Sequence, residues 1–278
     1  MSVNGANAYG LDGHIAEIYD QFETQTDDVA LLRRLIGERR PLRVLEPFCG
    51  TGRLLIPLAQ DGHEVIGMDI ARCMLDRARA KIAELSEDAR KRSILVEADV
   101  LDAPWPAGFD LIVLGGNCLY ELASPDEQER VIAAAAGALK PGGFVFLDND
   151  HMEGDLHESW LHSGRRRGVF PSGVCADGVR VEAFNDVLSC DAQQRLWRCR
   201  RAIRLTSPDG RVEEKSYIQQ KHPPSTAEMR GWLEAHGFAI QQLFGDKMGS
   251  PYVDASPRAV FWARLEADRC RRASSTGP

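Results

Sequence analysis

From Leu42 onward, short apolar runs alternate with longer stretches whose apolar residues recur every three or four positions. The runs Arg43–Phe48, Glu64–Ile70, Ile94–Asp99, Asp110–Gly115 and Phe144–Asp148 read as strands covered on both faces. The stretches between them predict helices at Arg53–Gln60, Ala71–Lys91 and Pro125–Leu139. The third helix has marked ends. Ser124 is a capping residue, Pro125 falls in the first turn, Glu127 follows the cap by three residues, and "LKPGG" stops the helix. The link Leu101–Gly108 is too short and proline-rich for a full helix. Strands alternating with helices imply a parallel sheet with right-handed crossovers.

The flanks follow other patterns. Residues 1–10 are small and polar and are expected to be mobile. Helical spacing returns at Gly13–Phe22 (Ile15, Ile18, Tyr19, Phe22) and Asp27–Glu38 (Val29, Leu32, Leu35). Residues 151–220 break the alternation. Val179–Leu188, Arg195–Leu205 and Arg211–Gln220 read as three antiparallel strands, the last two joined by a turn at Ser207-Pro208-Asp209-Gly210. A capping box at Ser225 and Glu228 opens a helix that ends near Gly237, and Phe238–Asp246 and Ala259–Leu265 then predict two strands close enough to pair. The expected organisation is a helical cap (1–40), a core (41–150 and 221–266), an antiparallel insert (151–220) and a disordered tail (267–278).

Composition narrows the classes. The chain has 278 residues, 44% of them hydrophobic, enough for a large packed core. A formal net charge of -7 argues against a nucleic-acid partner. Seven scattered cysteines, with no C-x-x-C pair, read as free thiols in a reducing cytoplasm. No leader segment or membrane-length apolar run is recognisable, so no membrane partner is expected.

The chemistry centres on "VLEPFCGTGRLLIPLA", Val44–Ala59. Gly50 and Gly52 stand between a strand and a helix, where a ligand approaches the main chain and the helix start offers free N–H groups. The next strand ends at Asp69, placed to accept both hydroxyls of a ribose. The third ends at Ala98-Asp99-Val100, where a carboxylate suits an adenine amino group while Ile70 and Val100 sandwich the ring. A dinucleotide site needs a third glycine, and Leu55 stands there instead. Glu46 beside the loop repels phosphate and favours a cation. A positively charged, phosphate-free adenosine fits better, and S-adenosylmethionine is such a molecule.

"VLEPFCGTGRL", "VIGMDIARCML", "EADV", "FDLIVLGGNCLYEL" and "LKPGGFVFLD" together resemble the ordered motifs of class I S-adenosylmethionine-dependent methyltransferases, over Arg43–Asp148. The resemblance implies an α/β, Rossmann-like fold: a seven-stranded, mainly parallel sheet whose last strand is antiparallel, with helices on both faces. It implies that Glu46, Gly50 and Gly52 hold the methionine part, Asp69 the ribose, Asp99 and Val100 the adenine, and the backbone at Leu114 and Gly115 the amino group. The N-terminal "AEIYDQF" resembles a lid helix; Tyr19 either closes over the cofactor or packs with Ile15 and Phe22.

The implied reaction moves a methyl group to a small-molecule acceptor, a nitrogen nucleophile in preference to oxygen. An O-methyltransferase of a natural product and a nonenzymatic sensor of the cofactor are the alternatives, and a nicotinamide oxidoreductase is more distant. Tyr120 and Glu121 after strand four, and His151 after strand five, are the candidate catalytic groups. No metal is expected, because His151, Glu153 and His157 lack a ligand spacing. Arg198, Arg200, Arg201 and Arg204, with "GRRRG" before them, either recognise an acceptor carboxylate or phosphate or form a solvated sheet face. The insert is expected to cover the acceptor pocket or to form a homodimer interface, with Tyr217, Trp160 and Trp197 as apolar walls or core.

Overall fold

The structure, a computed structural model, describes residues 8–39, 41–150 and 164–267. His151, Glu153, His157 and Trp160 lie outside the described residues, as do residues 1–7 and 268–278.

In chain order the helices are α1 (Gly13–Phe22), α2 (Asp27–Ile36), α3 (Leu55–Gln60), α4 (Arg72–Ala83), α5 (Glu87–Lys91), α6 (Pro125–Ala138) and α7 (Thr226–Ala235). The strands are β1 (Arg43–Pro47), β2 (Glu64–Asp69), β3 (Ser93–Glu97), β4 (Phe109–Leu114), β5 (Leu139–Asp150), β6 (Gly164–Val174), β7 (Arg180–Asp191), β8 (Leu196–Thr206), β9 (Val212–Lys221), β10 (Phe238–Phe244) and β11 (Arg258–Leu265). Short 3-10 turns occupy Ala8–Gly10 and Cys118–Glu121.

The strands form a seven-stranded sheet in the order β10-β11-β5-β4-β1-β2-β3. β1 to β5 run parallel, and β11 is antiparallel to both β5 and β10. β1 lies inside the sheet between β4 and β2, with Leu45 between Ile66 and Ile112 and fully buried, which is why that run reads as continuous apolar sequence. Apolar clusters cover both faces: Ile112, Leu114, Val131, Ile132 and Leu233 on one, Leu32, Leu55, Leu58, Val113 and Phe146 on the other. The strand order reverses between β1 and β4, so the crevice beyond their carboxyl ends is the expected ligand site.

Three expectations need correction. The single helix Ala71–Lys91 is two, because the Ser86 side chain accepts a hydrogen bond from the Ala89 N–H and starts α5 afresh. β5 begins at Leu139, so "KPGG" lies within the strand. The insert has four strands, in the order β6-β7-β8-β9. β6 was hidden by its arginine run and by Pro171, which an edge strand tolerates.

The two sheets meet through α1 and through contacts of β9 with the turn after β4. Ile15 and Ile18 pack with Val181, Ala183, Ile203 and Leu205 of the four-stranded sheet. On its other side Ala16 packs with Ala71 and Met74 of the core. Asp20 ties the helix down: it accepts from Thr51 Oγ1 at 2.6 Å, Arg77 Nε at 2.8 Å and Lys81 Nζ at 2.6 Å. No helix among the described residues is long and apolar enough to cross a membrane.

Candidate functional site

β1 ends in a turn that the sequence makes tight. Gly50 and Gly52 adopt φ values of 54° and 80°, open to glycine without strain, and Phe48 joins them at 62°. A side chain at Gly50 meets Met74, and one at Gly52 collides with Ile56, so the loop is pressed between α3 and α4. The turn and the ends of β2, β3 and β4 line a cavity that opens to solvent.

The ends of three strands present acids to it. Asp69 Oδ2 accepts from the Gly50 N–H and Oδ1 from the Ala71 N–H, both at 2.8 Å. Burial raises its pKa to about 6 even though these N–H donors favour the ionised form. Glu46 is 5% exposed and accepts from the Leu55 N–H, but its Oε2 meets no donor among the described residues. Burial pushes its carboxyl well above the usual range, against the opposing pull of Arg53. Asp99 accepts from the Leu101 N–H at 2.9 Å.

The remaining walls come from outside the core strands. Tyr9 and Tyr19 meet edge to face, with ring centroids 5.8 Å apart. Burial raises the Tyr19 hydroxyl to about 12 and also pushes the Tyr9 hydroxyl well above its usual value, Glu121 adding to the latter. Arg53 makes a bidentate pair with buried Asp28, at 2.8 and 2.7 Å, while its Nε has no acceptor among the described residues. Glu121, on the turn after β4, receives Gln219 Nε2 at 3.3 Å and faces Lys221 Nζ at 3.6 Å, both from β9.

The structure thus gathers Tyr19, Glu46, Gly50, Asp69, Ile70, Asp99, Val100, Gly115 and Glu121 around one cavity. Three named candidates stand apart from its walls. Gly52 packs under α3, Leu114 points into the core, and Tyr120 is buried with its ring beneath Lys221. Tyr9, Arg53 and Met74 line the cavity without having been singled out. Arg53 stands one residue past the second glycine and was absorbed into a predicted helix, and Tyr9 carried no signal in a segment read as polar and mobile. The four insert arginines divide: Arg198 and Arg200 are exposed, Arg204 pairs with Glu214, and Arg201 is half-buried. No cluster of metal-ligating side chains occurs among the described residues.

A family model described as a methyltransferase domain matches residues 44–143. The cypemycin N-terminal methyltransferase of a Streptomyces species is 30% identical over 248 residues, covering 86% of this chain and 91% of that protein. The chain belongs to the S-adenosylmethionine-dependent methyltransferases. Two solved structures share the methyltransferase fold along nearly its whole length. The CcbJ methyltransferase of Streptomyces caelestis is 20% identical, with a TM-score of 0.70 over 94% of this chain and 99% of that one. The sugar N-methyltransferase KedS8 of Streptoalloteichus is also 20% identical, with a TM-score of 0.67 over 96% and 99%. The methyltransferase uses S-adenosylmethionine, and its orphaned polar atoms suit that molecule: a buried carboxylate oxygen awaits a donor and a buried guanidinium N–H awaits an acceptor.

Proposed function

We propose that this methyltransferase methylates a nitrogen of a small-molecule acceptor, with Glu121 receiving the proton that the nitrogen gives up. Glu46 holds the cofactor's ammonium, the backbone at Gly50 and Gly115 lies along its methionine part, Arg53 faces its carboxylate, and Asp69 accepts its ribose hydroxyls. Ile70 and Val100 sandwich the adenine beside Asp99. Tyr19 covers the site from α1. Bound there, S-adenosylmethionine supplies a methyl group on a sulfonium, a leaving group that needs no acid.

The chain's residues then have two tasks: to align the acceptor and exclude water, and to take a proton from an amine that arrives as an ammonium with a pKa near ~10. The observation that carries the reading is the Glu121 carboxylate inside the cavity wall, engaged by Gln219 and Lys221. One relative named as an N-terminal methyltransferase and one structural neighbour named as a sugar N-methyltransferase support nitrogen. The four-stranded sheet roofs the acceptor side, and its exposed Leu188, Val212 and Ile218 suit contact with a second copy of the chain. A cytoplasmic location accords with the six described cysteines, all free.

Glu121→Gln tests the assignment. It is expected to lower kcat for an amine acceptor at least ~100-fold, with cofactor affinity by calorimetry unchanged within about threefold. An unchanged kcat on amines removes Glu121 from the reaction. Product analysis showing methyl transfer to hydroxyls alone overturns the nitrogen reading.

A further inference from the structure

A row of polar side chains runs across the inner face of the four-stranded sheet. Val181, Ala183, Ile203 and Leu205 of that face pack against α1. The next inward position pairs Asn185 with Arg201, and Arg201 with Tyr217. The row continues toward the cavity: the Tyr217 hydroxyl donates to Gln219 Oε1 at 3.4 Å, and Gln219 Nε2 donates to Glu121 Oε2 at 3.3 Å. Tyr9, a cavity wall, lies where the charges of Glu121 and Arg201 both act on its hydroxyl, Glu121 opposing its ionisation and Arg201 favouring it. Asn185 closes the row, 7% exposed, with an amide oxygen that meets no donor among the described residues.

Glu121 on the core turn and Arg201 on the four-stranded sheet thus stand at opposite ends of one polar row, with the Tyr217 hydroxyl between them. Adjacent strands lie about 4.8 Å apart and alternate residues about 6.7 Å, so the two charges are separated on the scale of a small molecule. We propose that Arg201 recognises a carboxylate on the acceptor, and that the substrate is an amine that also carries a free carboxylate, an amino acid in the broad sense. This rests on the nitrogen reading above and adds to it. A guanidinium meets a carboxylate in a bidentate fork, which fixes orientation as well as charge. A carboxylate suits the site better than a phosphate dianion, because the cavity already holds Glu46, Asp69, Asp99 and Glu121. With the carboxylate on Arg201, the amine is directed toward Glu121 and the cofactor.

The test uses the full chain and labelled S-adenosylmethionine with matched amines: α-amino acids, their carboxamides, amino sugars, and phenols as controls. The expected result is a kcat/KM at least tenfold higher for acids than for their amides. Arg201→Gln is expected to remove that preference by raising KM for the acid, with kcat within threefold, and Arg201→Lys to restore part of it. The variant's melting temperature and cofactor affinity are measured alongside to separate recognition from folding. Methylation of amides or amino sugars as good as or better than that of acids overturns the carboxylate while leaving the nitrogen reading intact. Methylation of phenols alone overturns both. Failure of every acid in the panel, or an acid preference that survives Arg201→Gln, also overturns the proposal.

Discussion

Asp69 shows how one side chain is set against itself. Its two oxygens already accept the Gly50 and Ala71 N–H groups, and burial still raises its pKa from 3.8 to about 6. A raised folded-state value means that the empty protein holds the neutral form more readily than the unfolded chain does. The stability this contributes is full below about pH 4 and is lost as pH rises through about 6. In the proposed site the ionised carboxylate has the opposite value for binding, since it is the form to which ribose hydroxyls would donate. Cofactor affinity is therefore expected to fall as pH drops from 7 to 5, and Asp69→Asn to abolish that dependence while weakening binding at pH 7 at least ~tenfold, a loss of about 1.4 kcal/mol. Calorimetry across this range checks both. The acids at the strand ends were legible because position alone exposes them. Arg53 and Tyr9 were not, because only the folded chain brings them to the same cavity.

At the level of elements, the sequence is most readable where burial is two-sided. β1, β2 and β4 stand out because each is a continuous apolar run held between neighbours. β6 did not, since at a sheet edge one flank of the strand has no partner and the pattern relaxes enough to admit Pro171. The break between α4 and α5 escaped for a different reason: a serine cap restarts a helix without the glycine or proline that usually marks an end. α1 was legible as a helix, but not its role, which depends on Asp20. Its bonds to Thr51, Arg77 and Lys81 join the helix to the glycine turn and to α4, and they hold its carboxyl below the usual 3.8 although burial opposes this. A depressed value contributes stability above about pH 4 that disappears as pH falls. Asp20→Ala is expected to lower the melting temperature at pH 7, with the difference closing toward pH 3. Hydrogen exchange across 13–22 is expected to rise, since the helix loses its three ties to the core.

For the molecule as a whole, the seven-stranded sheet and its cofactor crevice follow from local patterns, whereas the relation between the two sheets does not. That relation is carried by residues of α1, together with the contacts of β9 to the turn after β4, and Ile18 shows the helix's weight. It is fully buried among Val181, Ala183, Ile203 and Leu205. Ile18→Ala is expected to cost about 2–5 kcal/mol, read by chemical denaturation. A two-step transition, with the four-stranded sheet loosening first, is the expected form, because the seven-stranded core keeps both of its own apolar clusters. The same wedge has a kinetic consequence. One helix touches the glycine turn through Asp20 and the four-stranded sheet through Ile15 and Ile18, so a change that loosens it, such as Asp20→Ala, is expected to quicken the departure of spent cofactor and of methylated product alike, read by stopped-flow release.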